Sequence, residues 1–582
     1  MPLPLKQQSI IDIFESNEFL KKSRTHLNLK EKRLMLHAQF LEFTNSAGFN
    51  INYNAQSYNT HLDNFKILHL LDVELAVKLG VQFSLWGETI YKLGTVKHQD
   101  YITKTSNISI LGCFAMTEIG HGSNISRLET TAKYDTESKT FRIHSPTYTS
   151  HKFWIGQAAM FAQYSVVFAQ LYIKKICYGV HPFIVKLRDV KTNLILPGII
   201  IKDCGYKNGL DSVDNGEITF NNVVIPYDNL LDKLAQINDK GEYISVNGRI
   251  SKMLNELTKN RIGLGEGCNI ISRYYLKQTM EYSMIRKQFG GRNAEEPIIN
   301  YPSHHKRLFP LLANSLILAM YCKGQRKNVE LKSKSHISSV ITKIYGTWDC
   351  IKTLQECREA CGGHGYHLNS GIGETYRHIE IYATFEGDNN VLLQQIFLTT
   401  LKKIQKTMNK RGWSEYKLRK FCNIYVGSLN DCFNGNSFNY MTFITNLDYI
   451  IKYKVTHIAL LLHNEEQSGR DPFFLWKSKL NDIIEVSRII AFKHILDEVM
   501  LTKHNYMINY LIRLFIVLHI KEHINIYAQF MRISSISNLS KYENKLYRYM
   551  SKYVPYYLYR LDVPEIKYLR NKNHLYKIAA KL

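Results

Sequence analysis

Proline, glycine and cysteine are all scarce in this chain of 582 residues, and each shortage excludes a class of protein. Twelve prolines and 32 glycines are too few for a collagen-like or low-complexity polymer. Ten cysteines, behind a start without an apolar signal segment, predict reduced thiols in an intracellular compartment. The most apolar stretch near the end, residues 511–520, is interrupted by Arg513 and is shorter than the ~20 residues of a bilayer span. We therefore predict a buried helix there and no membrane span.

Acidic residues are also outnumbered, because 75 Lys and Arg stand against 50 Asp and Glu for a net charge of +25. More than half of this excess lies after residue 400. An excess of positive charge is compatible with partners such as nucleic acid, anionic lipid or phosphorylated cofactors, but it does not distinguish between them.

The hydrophobic periodicity changes along the chain. Residues 69–80 repeat apolar side chains at helical spacing, whereas short β-rich runs between Gly, Asn, Asp and Pro follow from about residue 108. Long helical patterns then return, interrupted by a basic, loop-like stretch at 406–411. We predict an α+β multidomain protein with an N-terminal α domain (1–107) and a middle antiparallel β domain (108–240). A helical bundle (241–405) and an additional C-terminal α domain (406–582) complete it.

Three suggestive patterns favour ordinary structural explanations. Gly263, Gly265 and Gly267 lie inside a helical pattern, where small residues allow two helices to approach closely. The spacing of Cys357, Cys361 and their neighbours is not that of a zinc site, so we predict no metal. The Tyr-rich, basic stretch 547–560 could stack nucleic-acid bases, but a packed helix–turn–helix with a basic face is the commoner explanation, and we predict no nucleic-acid partner.

Three other segments carry candidate chemistry. The run 117–124 is a glycine loop with Thr117 and Ser123 as hydrogen-bond donors. In 151–156, Trp154 beside the bare backbone of Gly156 suits a flat heteroaromatic ring. In 384–389, Glu386 stands before a helix among apolar and aromatic groups, and a carboxylate desolvated in this way gains a raised pKa suited to proton abstraction. Singly, each segment could also be a turn or a helix-start charge.

Together and in this order, these segments resemble the acyl-CoA oxidase branch of the acyl-CoA dehydrogenase flavoprotein superfamily. The likeness extends from about residue 83 to about residue 395. It includes the runs 179–189, 214–216, 225–226, 286–290 and 357–366. The segments 1–80 and 410–582 match only in helical character.

The resemblance implies an FAD cofactor and a role for each matching residue. Glu386 stands at the position of the catalytic base, and Arg261 at that of an arginine on the CoA side. The positions that contact the flavin within the subunit are Thr117, Ser123, Trp154 and Gly156. Those that reach the FAD of the neighbouring subunit are Arg286, Gln288, Phe289, Gly362, Gly363 and Asp388. A homodimer that shares its FAD sites is therefore expected.

The implied reaction starts from a saturated acyl-CoA, the substrate class of the first step of fatty-acid β-oxidation. Glu386 would remove the α-proton while the β-hydrogen passes as hydride to flavin N5, giving a trans-2-enoyl-CoA, and O2 would be reduced to H2O2. The extra C-terminal domain, and Gly156 where dehydrogenases usually carry Thr, favour an oxidase. Ile155 and Gln157 depart from the oxidase pattern.

Three alternatives remain open from the sequence. The chain could be an acyl-CoA dehydrogenase with a protein electron acceptor, or an oxidase of acyl groups on a carrier protein. It could also be a non-catalytic scaffold that binds a partner through its basic C-terminal face. The last residues, Ala580, Lys581 and Leu582, fit the tripeptide that peroxisomal import receptors read. We expect the peroxisomal matrix for a eukaryotic source and the cytoplasm for a bacterial one.

Overall fold

The computed structural model describes residues 5–47, 55–245, 260–291, 294–329, 335–411, 438–531 and 533–572. The chain forms two compact units. The first unit comprises Met1–Gly263, Arg377–Ile381 and Ile566–Leu569, and the second unit comprises Leu264–Tyr376, Tyr382–Glu565 and Arg570–Leu582. Ala580, Lys581 and Leu582 lie outside the described residues.

The first unit begins with helices, as the periodicity predicts. They are α1 (Leu5–Ser16), α2 (Leu29–Ser46), α3 (Ala55–Leu71), α4 (Val73–Leu79), a π-helical segment (Gly80–Gly87), α5 (Glu88–Leu93) and α6 (Gln99–Ser106). Local capping explains where two of them start. Asn28 and Glu31 form a reciprocal capping box before α2, and the Asp72 carboxylate accepts from the Leu75 amide before α4.

Strands follow in the same unit. They are β1 (Gly112–Ala115), β2 (Thr131–Asp135), β3 (Thr140–His144), β4 (Lys152–Gly156), β5 (Tyr164–Ile173), β6 (Ile176–Lys186), β7 (Ile199–Asp203), β8 (Asn215–Phe220), β9 (Val223–Pro226), β10 (Ala235–Ile237) and β11 (Tyr243–Ser245). A six-stranded sheet has the order β1-β5-β2-β3-β9, with β6 also paired to β5. A three-stranded sheet has the order β4-β8-β7, and the inner faces of the strands share one apolar core.

The sheet confirms the mixed α+β class and corrects one detail of the prediction. Strand β5 pairs in parallel with both β1 and β2, while the other ladders are antiparallel. The β domain is therefore mixed rather than purely antiparallel. A parallel pair requires a long crossover, and the chain between β1 and β5 supplies one because β2, β3 and β4 intervene.

The rest of the chain is mainly helical. Its helices are α7 (Asn260–Ile285), α8 (Pro302–Val329), α9 (Ser335–Ala360), α10 (Gly362–Tyr366), α11 (Ile372–Ile379), α12 (Asn389–Arg411), α13 (Tyr440–Gln467), α14 (Pro472–Ser478), α15 (Leu480–Val499), α16 (Tyr506–Glu522), α17 (Ile524–Tyr527), α18 (Ile533–Ser551), α19 (Val554–Arg560) and α20 (Lys567–Lys572). Two short strands, β12 (Lys287–Gln288) and β13 (Glu296–Pro297), form a hairpin after α7.

Several helical predictions are confirmed in the second unit. A Cβ at Gly265 would lie 2.2 Å from the Thr342 carbonyl oxygen, so glycine allows α7 and α9 to pack closely there. Helix α16 covers residues 511–520 and is largely buried. The Tyr-rich stretch forms the helix–turn–helix α18–α19, in which Tyr547 and Tyr557 are buried and Arg560 is exposed.

The structure also revises the predicted connection between the two helical domains. Residues 406–411, expected as a loop, form the last turns of α12. Helix α12 packs against α15, and α8 packs against α16, so the predicted bundle and the C-terminal helices belong to one compact unit. Of the helices among the described residues, none has an apolar stretch that could span a bilayer.

A buried group of charges links α4 to the loop before β8 in the first unit. The Glu74 carboxylate accepts from Arg24 Nε at 3.1 Å and from the amide and hydroxyl of Ser212 at 2.9 and 2.6 Å. Burial alone would raise the pKa of Glu74, but the charge of Arg24 and the Ser212 donors lower it to about 2. The ionised form is therefore favoured by folding.

We expect this carboxylate to make the first unit acid-sensitive. Because its folded pKa lies below the usual 4.5, its contribution is complete above pH 4.5 and is lost as the pH falls towards 2. Between pH 5 and pH 2 the unmutated chain should lose about 3 kcal/mol more stability than the Glu74→Gln variant. The free energy of unfolding is measured by urea denaturation at each pH, with hydrogen exchange of the α4 amides as the signal. The exposed Glu137→Gln is the control, and equal acid slopes for Glu74→Gln and the unmutated chain would contradict the expectation.

Candidate active site

The predicted site residues are distributed over both units. Thr117, Ser123, Trp154, Gly156 and Arg261 lie in the first unit, and the others lie in the second. Within the first unit, the loop from Thr117 runs beside β4. The Thr117 hydroxyl donates to the Phe153 carbonyl at 2.6 Å, and the Phe153 amide donates to the Thr117 carbonyl at 3.0 Å. The two predicted flavin segments of this unit are therefore neighbours.

The outer part of this loop is open. Ser123 and Gly122 are exposed, and a Cβ built at Gly122 would meet no atom within 4 Å. Backbone that is bare in this way can be approached closely by a ligand. The Thr117 hydroxyl differs, since its single proton is already directed to Phe153.

Trp154 occupies an irregular position in β4. The pairing of β4 with β8 shifts between Lys152 and Ile155, and Trp154 itself has a φ of 64°. A bulge with left-handed backbone changes the direction in which the side chain points. The indole is 55% exposed, although it is large and apolar. The Trp154 carbonyl is fixed by the Asn215 side-chain amide at 3.0 Å. The result is an exposed aromatic surface that can receive a flat ring.

Gly156 ends β4 in a confined place. A Cβ at this position would lie 3.0 Å from Cγ2 of Val81, tighter than ordinary contact. Glycine is therefore the residue that fits here without displacing a neighbour.

A buried ion pair fixes the Thr117 loop to the sheet. Lys152 and Glu118 are both fully buried at their side chains, with 3.0 Å between Nζ and Oε1. The Lys152 ammonium also donates to the carbonyls of Met116 and Phe168 at 3.1 and 2.7 Å. Glu118 accepts from the Thr130 amide and hydroxyl.

The two members of this pair have shifted pKa values. Burial lowers the pKa of Lys152 to about 8, against the opposing effect of Glu118. Burial alone would raise the pKa of Glu118, but Lys152 and the Thr130 donors hold it below its usual value. Both groups are therefore charged at pH 7, as a buried pair with satisfied hydrogen bonds requires.

In the second unit, Glu386 lies in a strained turn. Its φ is 55°, and Gly387 follows with a φ of 103°, so two successive residues have left-handed backbone. Such a conformation costs about 1–3 kcal/mol for a residue other than glycine and is concentrated at functional sites. The side chain is half-buried. Tyr382 is fully buried nearby, its ring 4.7 Å from that of Phe385, and burial foremost, with Glu386 among the lesser causes, raises the pKa of Tyr382.

The turn leads directly into α12. The Asp388 carboxylate accepts from the amides of Asn390 and Val391 at 2.9 and 3.2 Å and so caps the helix. Asn389 is buried and bonded to the ammonium of Lys343 at 2.8 Å. Asp388, predicted to reach a flavin, has a structural role in helix capping here.

The residues after α7 form a short arm. Gln288 belongs to the β12–β13 hairpin, and Phe289 in its turn is 81% exposed with a φ of 46°. Arg286 is half-buried at the base of the arm. A ring contact between Tyr282 and His364, with centroids 5.9 Å apart, places the end of α7 beside α10. The predicted residues of the arm and of α10 thus share one region of the second unit.

Gly362 and Gly363 begin α10 with open backbone. Both are exposed, and a Cβ at either would meet nothing within 4 Å. Gly362 also has a φ of 59°, which favours glycine.

Arg261 lies in the first turn of α7 and is half-buried. This turn is attached to the preceding part of the first unit, because the side-chain amide of Asn260 donates to the Ser84 carbonyl at 2.9 Å.

Three residues of these segments were not predicted. Glu118 and Lys152 lie inside the recognised motifs, but sequence alone does not reveal that they are paired. Lys343 has only a weak signal, a charged residue in the apolar run of α9 between Ile341 and Ile344. A buried lysine inside a helical apolar stripe is the pattern that could have identified it.

Comparison with known proteins extends these observations. The family described as acyl-CoA oxidase, C-alpha1 domain, matches residues 255–400. Peroxisomal acyl-coenzyme A oxidase 2 of Arabidopsis thaliana is 35% identical over 450 residues, which cover 73% of this chain and 65% of that protein. Human peroxisomal acyl-coenzyme A oxidase 3 is 32% identical over 435 residues, covering 70% and 62%. The chain thus spans slightly less than two thirds of the length of these relatives.

Solved structures share the fold. The crystal structure of acyl-CoA oxidase 3 from Yarrowia lipolytica matches with a TM-score of 0.83 at 24% identity, covering 98% of this chain and 87% of that one. Acyl-CoA oxidase-2 of Caenorhabditis elegans, bound with FAD, ascaroside-CoA and ATP, matches with a TM-score of 0.84 at 21% identity, covering 99% and 89%. The architecture is therefore that of the acyl-CoA oxidases. The sequence is also similar to these oxidases, through the C-alpha1 domain at residues 255–400 and over 73% of the chain for the Arabidopsis relative.

We expect the Lys152–Glu118 pair to control the stability of the first unit. Lys152→Met leaves the Glu118 carboxylate buried without its counter-charge, which should cost about 3–5 kcal/mol. The double variant Lys152→Met/Glu118→Gln removes both charges and should recover part of this loss. Urea denaturation and the amount of bound FAD measure the effect.

The exposed Lys175→Met variant is the control for the loss of a lysine. Strictly additive losses in the double variant would contradict the coupling.

Proposed function

We propose that this protein is an FAD-dependent acyl-CoA oxidase. The reaction converts a saturated acyl-CoA and O2 into trans-2-enoyl-CoA and H2O2, the first step of fatty-acid β-oxidation. The observation that carries the proposal is the strained turn at Glu386, with its half-buried carboxylate beside the buried Tyr382. Its support is the sequence similarity to acyl-CoA oxidases reported above.

The described residues fit FAD. Open backbone at Gly122, Gly362 and Gly363 offers amide groups without side chains, and the exposed Trp154 indole offers a face for a ring system. We assign Thr117, Ser123, Trp154 and Gly156 to the FAD of their own subunit, and Gly362 and Gly363 to that of the neighbouring subunit. Bound FAD would supply hydride acceptance and the return of electrons to dioxygen.

Glu386 is the group that we assign to proton removal. Its carboxylate would take the α-proton of the acyl thioester, while the surrounding apolar groups keep bulk water from competing for that proton. A base is effective only when it is held within hydrogen-bond reach of the proton, and a turn of fixed conformation provides this restriction. Arg261, a cation at the start of α7, is the candidate contact for the CoA portion.

Gly156 favours the oxidase reaction over a dehydrogenase reaction, because dehydrogenases usually carry a threonine at this position. A side chain here would also be in tight contact with Val81, whose Cγ2 lies 3.0 Å from a built Cβ. Peroxide formation in air decides between the two, because a dehydrogenase would need a separate electron acceptor. A carrier-protein thioester as substrate would show itself by a strong salt dependence of the rate.

Two proposals concern the assembly and the location of the protein. The apolar rings of Phe289 and Tyr366 are each 81% exposed in the single chain, as expected for groups that a second copy covers. We assign Arg286, Gln288, Phe289, Gly362, Gly363 and Asp388 to a shared FAD site in a homodimer. The curated relatives are named peroxisomal, and we propose the peroxisomal matrix, addressed by Ala580, Lys581 and Leu582.

We expect Glu386→Gln to abolish turnover while FAD stays bound. Loss of the base should lower the rate of flavin reduction by an acyl-CoA by about a thousandfold. Anaerobic stopped-flow absorbance measures this rate. Exchange of the substrate α-hydrogen in D2O, followed by mass spectrometry, reports proton removal separately. The exposed Glu380→Gln is the control, and near-normal reduction in the Glu386 variant would refute the assignment.

We expect the arm to be needed for the dimer. Phe289→Asp places a charge where an apolar ring is proposed to be covered, so it should produce monomers that retain less FAD. Light scattering after size-exclusion chromatography gives the mass, and absorbance gives the FAD content. Phe473→Asp, at a residue that is 68% exposed, should leave both unchanged. A dimeric Phe289 variant with full FAD would argue against this interface.

A further inference from the structure

Lys343 is fully buried in α9 and makes contacts with the loop that contains Glu386. Its ammonium donates to the Ala383 carbonyl at 3.1 Å, to the Gly387 carbonyl at 2.6 Å and to Oδ1 of Asn389 at 2.8 Å. An ammonium has three N–H groups, so it can donate to several acceptors at once. One side chain therefore holds three points of a single short loop.

The acceptors lie on both sides of Glu386 in the chain. Ala383 precedes it, and Gly387 and Asn389 follow it. Fixing both flanks to one cation restricts the turn between them, because its ends can no longer move independently. A hydrogen bond between an ammonium and a carbonyl is charge-assisted and stronger than a neutral one.

The third acceptor is itself held in place. The Asn389 side-chain amide donates to the Thr347 hydroxyl at 3.0 Å, and that hydroxyl donates to the Lys343 carbonyl at 2.8 Å. Lys343 and Thr347 are four residues apart on α9, so they project from the same face of the helix. All three side chains are buried. The loop is thus attached to a rigid helix rather than to solvent.

The turn needs such support because its backbone is strained. Glu386 and Gly387 have φ values of 55° and 103°, and strained conformations persist only where the surroundings impose them. The Gly387 carbonyl, held by Lys343, belongs to the peptide that directly follows these two residues.

We propose that Lys343 is a positioning residue for Glu386: its ammonium fixes the strained turn so that the carboxylate is held for proton removal. The inference rests on the proposed oxidase function. Lys343 acts through the loop and is assigned no contact with substrate or cofactor. Burying a lysine without acceptors is costly, and a lysine that served only the packing of α9 could be replaced by an apolar residue of similar length.

The test is the Lys343→Met variant, which keeps the length of the side chain and removes the charge and the donors. We expect flavin reduction by saturating acyl-CoA to slow by about a hundredfold, as for a misplaced catalytic group. Substrate affinity and FAD content should stay within about twofold of the unmutated protein. The pH at which reduction is half-maximal should rise, because a cation near a carboxylate favours its ionised form.

A second readout follows the loop itself. Amide hydrogen exchange across residues 383–389 should accelerate in Lys343→Met and stay unchanged in Lys352→Met, an exposed lysine on the same helix. Should Lys343→Met fail to fold, Asn389→Ala keeps the ammonium and deletes one acceptor. It should then slow reduction by about tenfold with FAD retained.

The outcomes separate this inference from the proposed function. An unchanged rate, pH profile and loop exchange in Lys343→Met, with an unmutated protein that forms peroxide, would overturn the role of Lys343 and leave the oxidase intact. A lower unfolding temperature with an unchanged pH profile would make Lys343 merely structural and would also overturn it. An unmutated protein whose flavin no acyl-CoA reduces would refute the proposed function, and this inference with it.

Discussion

A cation placed in a protein interior must be surrounded by acceptors, and this constraint organises both loops that carry the candidate chemistry. Lys152 in the first unit and Lys343 in the second are fully buried, and each ammonium donates to three acceptors. Because desolvation makes an unsatisfied ammonium costly, each set of three acceptors is held together as a group. The Thr117 loop and the Glu386 loop are therefore fixed by the same physical means.

The two ammonium groups bind different sets of hydrogen-bond acceptors. Lys152 has a carboxylate partner, so its site is an ion pair within the β domain, supported by the donors of Thr130. The Lys343 ammonium donates to two backbone carbonyls and to the amide oxygen of Asn389. All three of these acceptors belong to the loop that carries the carboxylate of Glu386.

Left-handed backbone also occurs at three of the candidate site residues. Trp154, Phe289 and Glu386 all have positive φ values, although none is glycine. The strain at Trp154 accompanies a bulge that leaves the indole exposed, and that at Glu386 accompanies a half-buried carboxylate. Local preference alone would not select these conformations, so tertiary contacts must impose them.

Much of the fold could be predicted from the sequence, since periodicity reports which face of an element is buried. The helices, the β domain and the close packing at Gly265 follow from local pattern. The parallel pairing of β5 was not predictable, because short strands do not encode their partners. The loop expected at 406–411 is helical, since lysine and arginine have high helix propensity.

The sequence by itself determined the chemical groups of the candidate site: the glycines, the Trp154 indole and the Glu386 carboxylate, each within a recognisable motif. Only the tertiary structure decided what holds them. Lys152 meets Glu118 across 34 residues, and Lys343 meets Gly387 across 44. A motif records residue types at fixed spacing, whereas a hydrogen bond between distant segments depends on how the chain folds back on itself. Glu386 could therefore be proposed as the base from the sequence, but the contacts that support it could not be predicted.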